Sequence, residues 1–390
     1  MVATQRPELF SDALGYLHER AATETGLSDF GDDAYLTNLK VLLDCYDRES
    51  KLGDYGRTVV ESTMISALKG RLYSTENIKN NPDCLTHPIV EPLFILGLPR
   101  TGSTALHKLL AAAPDTQALE YWLACTPDVR PPREAWKDHP QYVETVRALA
   151  RIYDSLPEYR SVHSMKADEA DECRLLFLQD FTGMTFSSNA TIPGFEKWIL
   201  DRDMKPCLRR YRDNLKLIGA REPDKRWVLK NSAHLWALGD LADVFPDACI
   251  VHTHRHPLQL IASVSSLVYR LRKQNEPSIS KQEVGLQQLN LWARVIDRNR
   301  ELRRENPDLD VIEIRYADFV RQPIETVKSI YRKFGIAWSA EIETEVRQWA
   351  AGNRKDKYGA HEYGMEEYGL SEALIMEKFG DYIDEFELVR

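Results

Sequence analysis

The residues best placed to do chemistry lie in one short loop of the stretch PLFILGLPRTGSTALHKLLAAA. Gly97 and Gly102 allow a tight turn and a close approach of the backbone to a ligand. Arg100 supplies a positive charge, and Ser103 and Thr104 supply hydroxyl donors. Because the free N–H groups at a helix start point towards the positive end of the helix dipole, this loop predicts a binding site for an anion.

The loop follows a predicted strand and precedes a predicted helix. Residues 93–98 form a short apolar run, and apolar residues then recur at helical spacing beyond the loop. The glycine spacing resembles the Walker A phosphate loop, except that Ser103 stands at the position of its lysine and Arg100 would supply the charge. The alternative is an ordinary strand-to-helix turn without a ligand. Glycine, arginine and hydroxyl residues in register after a buried strand favour the binding site.

A second pair of reactive side chains follows the next predicted strand, residues 227–229. Lys230 ends this strand, and Asn231 and Ser232 can cap a following helix. His234 lies in the first turn of that helix, at the edge of an open α/β sheet where ligands bind. The positive end of the helix disfavours an imidazolium, so His234 is predicted to stay neutral and able to accept a proton. The alternative is a solvent-facing histidine.

A second cation meets a second helix start after the predicted strand 248–253. Arg255 follows this strand, and Pro257 suits the first position of the next helix. Ser263 lies eight residues beyond Arg255. These two side chains are predicted to form a second clamp for a phosphate.

Three histidines alternate along the end of this strand, and they raise the question of a metal site. They are His252, His254 and His256. Metal sites combine histidine with cysteine or carboxylate ligands. No carboxylate or cysteine lies nearby at ligand spacing, so the histidines are predicted to be core or hydrogen-bonding residues, and no metal is expected.

An acidic cluster, formed by Asp168, Glu169, Asp171 and Glu172, precedes an apolar run. These acids fit the negative charge that a helix start favours. Alternatively, one of them reaches the active site to orient a base or to attract a cationic acceptor. Aromatic residues that follow either line an acceptor pocket or belong to the core. They are Phe177, Phe181, Phe186, Phe195 and Trp198.

The composition is that of an ordinary soluble protein. The chain has 390 residues, 43% hydrophobic and 28% charged, which is enough for a full core in one large or two ordinary domains. A net charge of −9 argues against a nucleic-acid binder. The six cysteines are scattered without a CxxC pair, which fits a reducing compartment. Without a signal peptide or a membrane-spanning apolar run, the protein is predicted to be cytoplasmic.

Four predicted strands alternate with helices, and the fourth covers residues 311–315. This order predicts an α/β protein with a P-loop-like three-layer fold around a central, mostly parallel sheet. A helical N-terminal layer, residues 1–90, is predicted to pack on an α/β domain, residues 91–390, that contains a helical insertion at about 120–222. Within it, residues 121–140 are predicted to form a long ordered loop.

Four motifs, in this order, resemble those of the sulfotransferases that use 3′-phosphoadenosine-5′-phosphosulfate, especially their bacterial branch. They are GLPRTGST, WVLKNSAH, IVHTHRHPLQLIASVSSL and VIEIRYADF, and they lie within about residues 90–365. The resemblance implies sulfuryl transfer to a small-molecule acceptor. It also implies that the first loop holds the 5′-phosphosulfate, through Arg100, Thr101, Gly102, Ser103 and Thr104.

The resemblance assigns roles to the residues that follow the other strands. Arg255 and Ser263 would bind the 3′-phosphate of the donor. Lys230 would contact the transferred sulfuryl group or its bridging oxygen, and His234 would be the general base. Tyr316 would lie beside the adenine.

The resemblance extends to a basic loop near the end of the chain and has three departures. A loop that closes over the 3′-phosphate would correspond to Arg354 and Lys355. Ser232 stands where the bacterial branch often has proline, His256 where it often has aspartate, and Ser103 where threonine is common. These departures leave the position of the base open, because the helix start that contains His234 can shift.

Two rival classes of protein have the same kind of loop. A P-loop kinase or nucleotide triphosphatase needs a loop lysine and a strand-end aspartate for Mg²⁺, whereas these strands end in Lys230 and Arg255. A non-catalytic nucleotide-binding protein could keep the fold without the reaction. Two separated anion sites and a neutral base favour in-line transfer from a donor with an anion at each end, without a metal.

Overall fold

The computed structural model describes residues 5–155, 165–353 and 364–389. Its central sheet has five strands, β1 (Leu93–Gly97), β2 (Thr116–Ala118), β3 (Arg226–Lys230), β4 (Cys249–His254) and β5 (Val311–Arg315). They lie in the order β2-β3-β1-β4-β5, and every neighbouring pair is parallel. The predicted α/β fold around a parallel sheet is confirmed.

Helices surround this sheet. The first group in chain order is α1 (Leu14–Thr25), α2 (Ala34–Glu49), α3 (Asp54–Asn80), α4 (Ser103–Leu110), α5 (Tyr121–Cys125), α6 (Pro140–Ser155), α7 (Arg174–Leu178), α8 (Thr185–Asn189), α9 (Pro193–Leu200) and α10 (Lys205–Ile218). The second group is α11 (Leu238–Val244), α12 (Ile261–Asn275), α13 (Lys281–Glu305), α14 (Tyr316–Arg321), α15 (Pro323–Lys333), α16 (Ala340–Gly352) and α17 (Glu372–Glu385). No described helix is both long enough and apolar enough to cross a membrane.

The two faces of the sheet belong to two separate cores, which gives the three layers. Phe94 and Leu96 of β1 enter a large core with residues of α1 to α3 and of most later helices up to α13, together with α17. Leu93 and Ile95 face the other way, into a smaller core with α4 and α14 to α16. Because successive strand residues face opposite sides and both sides are covered, β1, β3 and β4 are almost entirely buried, whereas the edge strand β5 is partly exposed.

The predicted loop over residues 121–140 is wrong in two respects, and the strand before it was missed. The short strand β2 pairs with β3 at the sheet edge, although its sequence Thr-Gln-Ala has no apolar run. Arg130 donates a hydrogen bond to the carbonyl of Ala118 and so covers this edge. The segment then forms α5 and a 3₁₀ turn at Arg133–Asp138. Helix α5 is stabilised by the burial of its side chains, including Trp122. It is too short for a helical repeat of apolar residues to be visible in the sequence.

The predicted helix after β3 is also different. Asn231 caps as expected, since its Oδ1 accepts a hydrogen bond of 3.1 Å from the N–H of Ala233. However, the turn is a 3₁₀ helix, Ser232–Leu235, and the α-helix begins only at Leu238. His234 therefore lies in a single 3₁₀ turn, where the dipole of a long helix does not act on it.

Candidate active site

The carboxyl ends of four adjacent strands bring the predicted site residues to one edge of the sheet. In the parallel register, Ile95 of β1 lies level with Lys230 of β3, and Gly97 lies level with Thr253 of β4. The neighbouring strand β5 ends at the same edge. The residues that follow these strand ends are the first loop, Arg255 and Tyr316.

The first loop is held tightly against β4. Gly97 has φ +150°, and a Cβ atom there would lie 2.2 Å from the hydroxyl of Thr253, so only glycine fits. The Thr101 hydroxyl donates to the carbonyl of Leu98 at 2.7 Å and shares a second 2.7 Å hydrogen bond with the Thr253 hydroxyl. The side chain of Thr101 thus fixes the loop, which leaves its main-chain N–H as the group that can face a ligand.

Arg255 joins this loop to the fourth and fifth strands. Its Nη1 donates to the main-chain carbonyl of Arg100 at 3.0 Å, and its Nε donates to Gln259 at 3.1 Å. Its guanidinium lies 4.3 Å from the ring centroid of Tyr316. That ring also touches the loop, because a Cβ atom on Gly102 would lie 2.7 Å from its Cδ2. The predicted anion loop, clamp arginine and tyrosine therefore form one surface.

The two guanidinium groups of this surface carry like charges that act on each other. Burial lowers the pKa of Arg255, and the nearby charge of Arg100 lowers it further. Within the described ranges, neither arginine forms an ion pair with an acidic side chain. Two cations held close together without a carboxylate are stabilised by an anion between or beside them.

The remaining predicted donors lie at helix starts. Ser103 is buried and Thr104 is exposed, both in the first turn of α4. Ser263 lies in the first turn of α12, with 8% of its surface exposed. Arg354 and Lys355, predicted to close over the nucleotide, lie outside the described residues.

Lys230 has an acidic partner that the sequence analysis named only as one member of a cluster. The Lys230 ammonium, 6% exposed, forms an ion pair with the carboxylate of Glu172, 22% exposed. The main chain places them together, since the N–H of Cys173 donates to the carbonyl of Lys230 at 3.0 Å. The acids of this cluster do not lie in the first turn of α7, so they do not cap that helix. Glu169 instead pairs with Lys108 at 2.6 Å.

His234 is fully buried in a box of aromatic rings, so the solvent-facing alternative is wrong. Ring centroids of Phe94, Phe177 and Tyr211 lie 5.1, 5.6 and 6.2 Å from its own. Neither ring nitrogen has a hydrogen-bond partner among the residues that the structure describes. Burial, and secondarily the charge of Lys230, lowers its pKa to about 3. His234 is therefore neutral, as expected, but desolvation keeps it so instead of a helix dipole.

A carboxylate does lie beside the β4 histidines, contrary to the expectation from the sequence. Parallel pairing sets Glu313 of β5 level with His252. Ligand atoms of His252, His254 and Glu313 lie within 4.8 Å of one another. His254 Nε2 and Glu313 Oε2 are 2.6 Å apart, which is a hydrogen bond. Two ligands of one tetrahedral metal with ordinary bond lengths would lie about 3.3 Å apart, so the shorter separation of His254 and Glu313 is that of a hydrogen bond and not of two metal ligands.

The aromatic residues offered for an acceptor pocket lie in the core. Phe181, Phe186 and Phe195 are fully buried and pack on one another, with centroid distances of 5.6 and 6.1 Å. A cavity of about 910 Å³ lies elsewhere, beside the edge strand β2. Its walls include Lys108, Trp136 and Glu169, but not the two site arginines. The core alternative is therefore correct for these three phenylalanines, whereas Trp198 is partly buried and Phe177 lies against His234.

Comparison with known proteins agrees with this geometry. Residues 92–340 match the model of a family described as the sulfotransferase family. The fold superposes on the crystal structure of sulfotransferase STF1 from Mycobacterium tuberculosis H37Rv with a TM-score of 0.87 and 34% identity, covering 94% of this chain and 98% of that one. Sulfotransferase STF9 from Mycobacterium avium gives a TM-score of 0.88 and 25% identity, over 99% of each chain.

A curated relative has a more specific name. The omega-hydroxy-beta-dihydromenaquinone-9 sulfotransferase Stf3 of Mycobacterium bovis is 24% identical over 318 residues. The match covers 76% of this chain and 74% of that protein.

Proposed function

Because the chain belongs to the sulfotransferase family, we propose that its sulfuryl donor is 3′-phosphoadenosine-5′-phosphosulfate and its acceptor a hydroxyl or amine of a small molecule. The observation that supports this donor is the link between Arg255 and the first loop, since the Arg255 guanidinium donates to the main-chain carbonyl of Arg100. Among the described residues, neither arginine pairs with an acid. A nucleoside with an anion at each end needs two linked anion sites. The six free cysteines support a cytoplasmic location.

The donor would occupy the two anion sites as follows. The main-chain N–H groups of the first loop, with Arg100, Ser103 and Thr104, would hold the 5′-phosphosulfate. Arg255 and Ser263 would hold the 3′-phosphate. The adenine would lie beside Tyr316, whose ring already contacts both the loop and Arg255. Arg354 and Lys355 remain a proposal for the closing loop.

Lys230 would stabilise the charge that moves during transfer. The acceptor oxygen or nitrogen forms a bond to sulfur while the bond from sulfur to the bridging phosphate oxygen breaks, and adenosine 3′,5′-bisphosphate leaves. Negative charge grows on that bridging oxygen, where an ammonium is most useful. Glu172 would orient Lys230 through their ion pair. We predict that none of these steps requires a metal.

The base that takes the acceptor proton has two candidates. We propose His234, whose imidazole is neutral in the folded protein, so that one of its two ring nitrogens can accept a proton at neutral pH. The box of Phe94, Phe177 and Tyr211 encloses it, so an acceptor would have to reach between these rings. Glu172 is the second candidate, since its carboxylate is partly exposed beside Lys230.

Two variants separate these candidates. His234→Ala should abolish turnover while the affinity for adenosine 3′,5′-bisphosphate stays near that of the wild type. Glu172→Gln should lower turnover only in part if it merely orients Lys230. A Glu172→Gln enzyme without activity, next to an active His234→Ala enzyme, would assign the base to Glu172 instead.

The activity itself is tested with purified protein, labelled phosphosulfate donor and EDTA. Label should pass to an acceptor, and the name of Stf3 makes a hydroxylated dihydromenaquinone the first acceptor to assay. Transfer from ATP that needs Mg²⁺ would identify a kinase. Tight binding of adenosine 3′,5′-bisphosphate without transfer to any acceptor would indicate a non-catalytic nucleotide-binding protein.

A further inference from the structure

We infer that the C-terminal helix α17 positions Arg255 for the 3′-phosphate, by fixing His254, its neighbour in the chain, through the hydroxyl of Tyr382. His254 and Tyr382 are thus positioning residues, since neither would touch the nucleotide. The inference rests on the proposed function, in which Arg255 binds the 3′-phosphate.

The His254 ring is fixed on every side. Its Nε2 lies 2.6 Å from Glu313 and its Nδ1 lies 2.9 Å from the hydroxyl of Tyr382. A carboxylate only accepts, so Nε2–H donates to Glu313 and Nδ1 accepts from Tyr382. Phe386 stacks on the ring at 4.0 Å between centroids and 18° between planes. Arg303 forms an ion pair with Glu313 and holds that carboxylate in place.

The same helix also supports the chain on the far side of Arg255. It packs against the 3₁₀ turn Pro257–Gln259. Gln259, at the end of that turn, accepts the hydrogen bond of 3.1 Å from Arg255 Nε. The clamp arginine is therefore held between His254, which is hydrogen-bonded to α17, and Gln259, at the end of a turn that packs against α17.

A third contact reaches the strand end that precedes the site tyrosine. Glu387, just beyond α17, accepts a hydrogen bond of 2.7 Å from Arg315, the last residue of β5. Tyr316 follows directly, and its ring lies under the Arg255 guanidinium. Tyr382 of α17 thus contacts the end of β4, and Glu387 contacts the end of β5, so this part of the chain reaches both strand ends that precede the second anion site.

The test measures selectivity for the 3′-phosphate, which a purely structural role would not change. The readout is the ratio of the dissociation constants of adenosine 5′-monophosphate and adenosine 3′,5′-bisphosphate, from calorimetry on the full chain. Tyr382→Phe removes one hydroxyl and keeps the ring. We expect this ratio to fall about threefold to tenfold, the effect of one hydrogen bond, with monophosphate affinity unchanged. The KM for the donor should rise while kcat at saturation changes little.

The chain offers a matched control in Tyr331→Phe. Tyr331 is also buried, and its hydroxyl also has one partner, Asp115 at 3.2 Å, but it lies in the smaller core. This control should lose a similar amount of stability and keep the wild-type ratio. Phe386→Leu, which removes the stacking ring, should lower the ratio as Tyr382→Phe does.

Two different failures can be told apart. If Tyr382→Phe and Phe386→Leu lose stability but keep the wild-type ratio, the helix is only structural and the inference is overturned. If the wild type itself binds the bisphosphate no better than the monophosphate, the proposed donor is wrong.

Discussion

Arg255 Nη1 donates a hydrogen bond of 3.0 Å to the main-chain carbonyl of Arg100, a residue 155 positions away in the chain. The contact joins the loop after β1 to the end of β4. Because the acceptor is a carbonyl and not a side chain, the positive charges of both arginines stay available for an anion. The distance between the two proposed anion sites would thereby be set by the protein before any ligand arrives.

The first prediction concerns the charge of Arg255. Arg255→Ala should weaken binding of adenosine 3′,5′-bisphosphate by roughly 10-fold to 100-fold, the effect of losing a charge-assisted hydrogen bond. Binding of adenosine 5′-monophosphate should change much less. Titration calorimetry on both nucleotides checks this, and an equal loss for the two would refute the assignment of the 3′-phosphate. Arg255→Lys, which keeps the charge, should retain part of the selectivity.

The second prediction concerns the contact between the loop and Tyr316. Gly102 has φ +82°, and a Cβ atom there would lie 2.7 Å from the Tyr316 ring. Gly102→Ala should therefore lower both the free energy of unfolding and the affinity for the bisphosphate. The matched control is Gly335→Ala, at φ +65° with nothing within 4 Å of the new Cβ. It should cost only the backbone strain, about 1 kcal/mol, and leave binding unchanged.

Equal urea midpoints and equal nucleotide affinities for these two glycine variants would show that the Tyr316 ring does not pack against the loop at Gly102. The same measurements would then assign the loss at both positions to backbone strain alone.

The sequence was sufficient to locate the four strands at which the site is built. β1 is an apolar run that is buried on both faces, β3 and β4 are mostly apolar and buried, and in β5 apolar residues flank Glu313. These patterns do not depend on distant partners. Polar residues follow each of these strands, and the carboxyl ends of parallel strands meet at one edge of the sheet. These residues are therefore predicted to lie together at that edge. The short edge strand β2 was missed because its three residues are polar or small and are defined by pairing with β3.

Partners from distant parts of the chain were the features that local patterns could not supply. Glu172 is 58 positions from Lys230, and Glu313 is 59 positions from His254. Spacing along one segment says nothing about either pair. Strand order would have pointed to Glu313, since β4 and β5 are neighbours and Glu313 lies level with His252, two residues before His254. The burial of His234 depends on rings from three different elements and likewise has no local signal.

The last prediction follows from the protonation of His234. Its pKa is about 3 in the folded protein and near 6.5 when unfolded, because burial penalises the imidazolium. Between these values the unfolded chain binds a proton that the folded chain does not. Stability from this residue is therefore complete above pH 6.5 and is lost progressively as the pH falls towards 3.

A substitution at His234 isolates the contribution of this residue to the pH dependence of the unfolding free energy. Between pH 7 and pH 5, the wild type should lose about 2 kcal/mol more unfolding free energy than His234→Leu, which packs among the same rings without titrating. Urea denaturation at several pH values measures the difference. Burial also lowers the pKa of His107, to about 4, but that residue is present in both proteins and its contribution cancels. Parallel stability curves for the two proteins would show that water or a polar group reaches the His234 ring in solution.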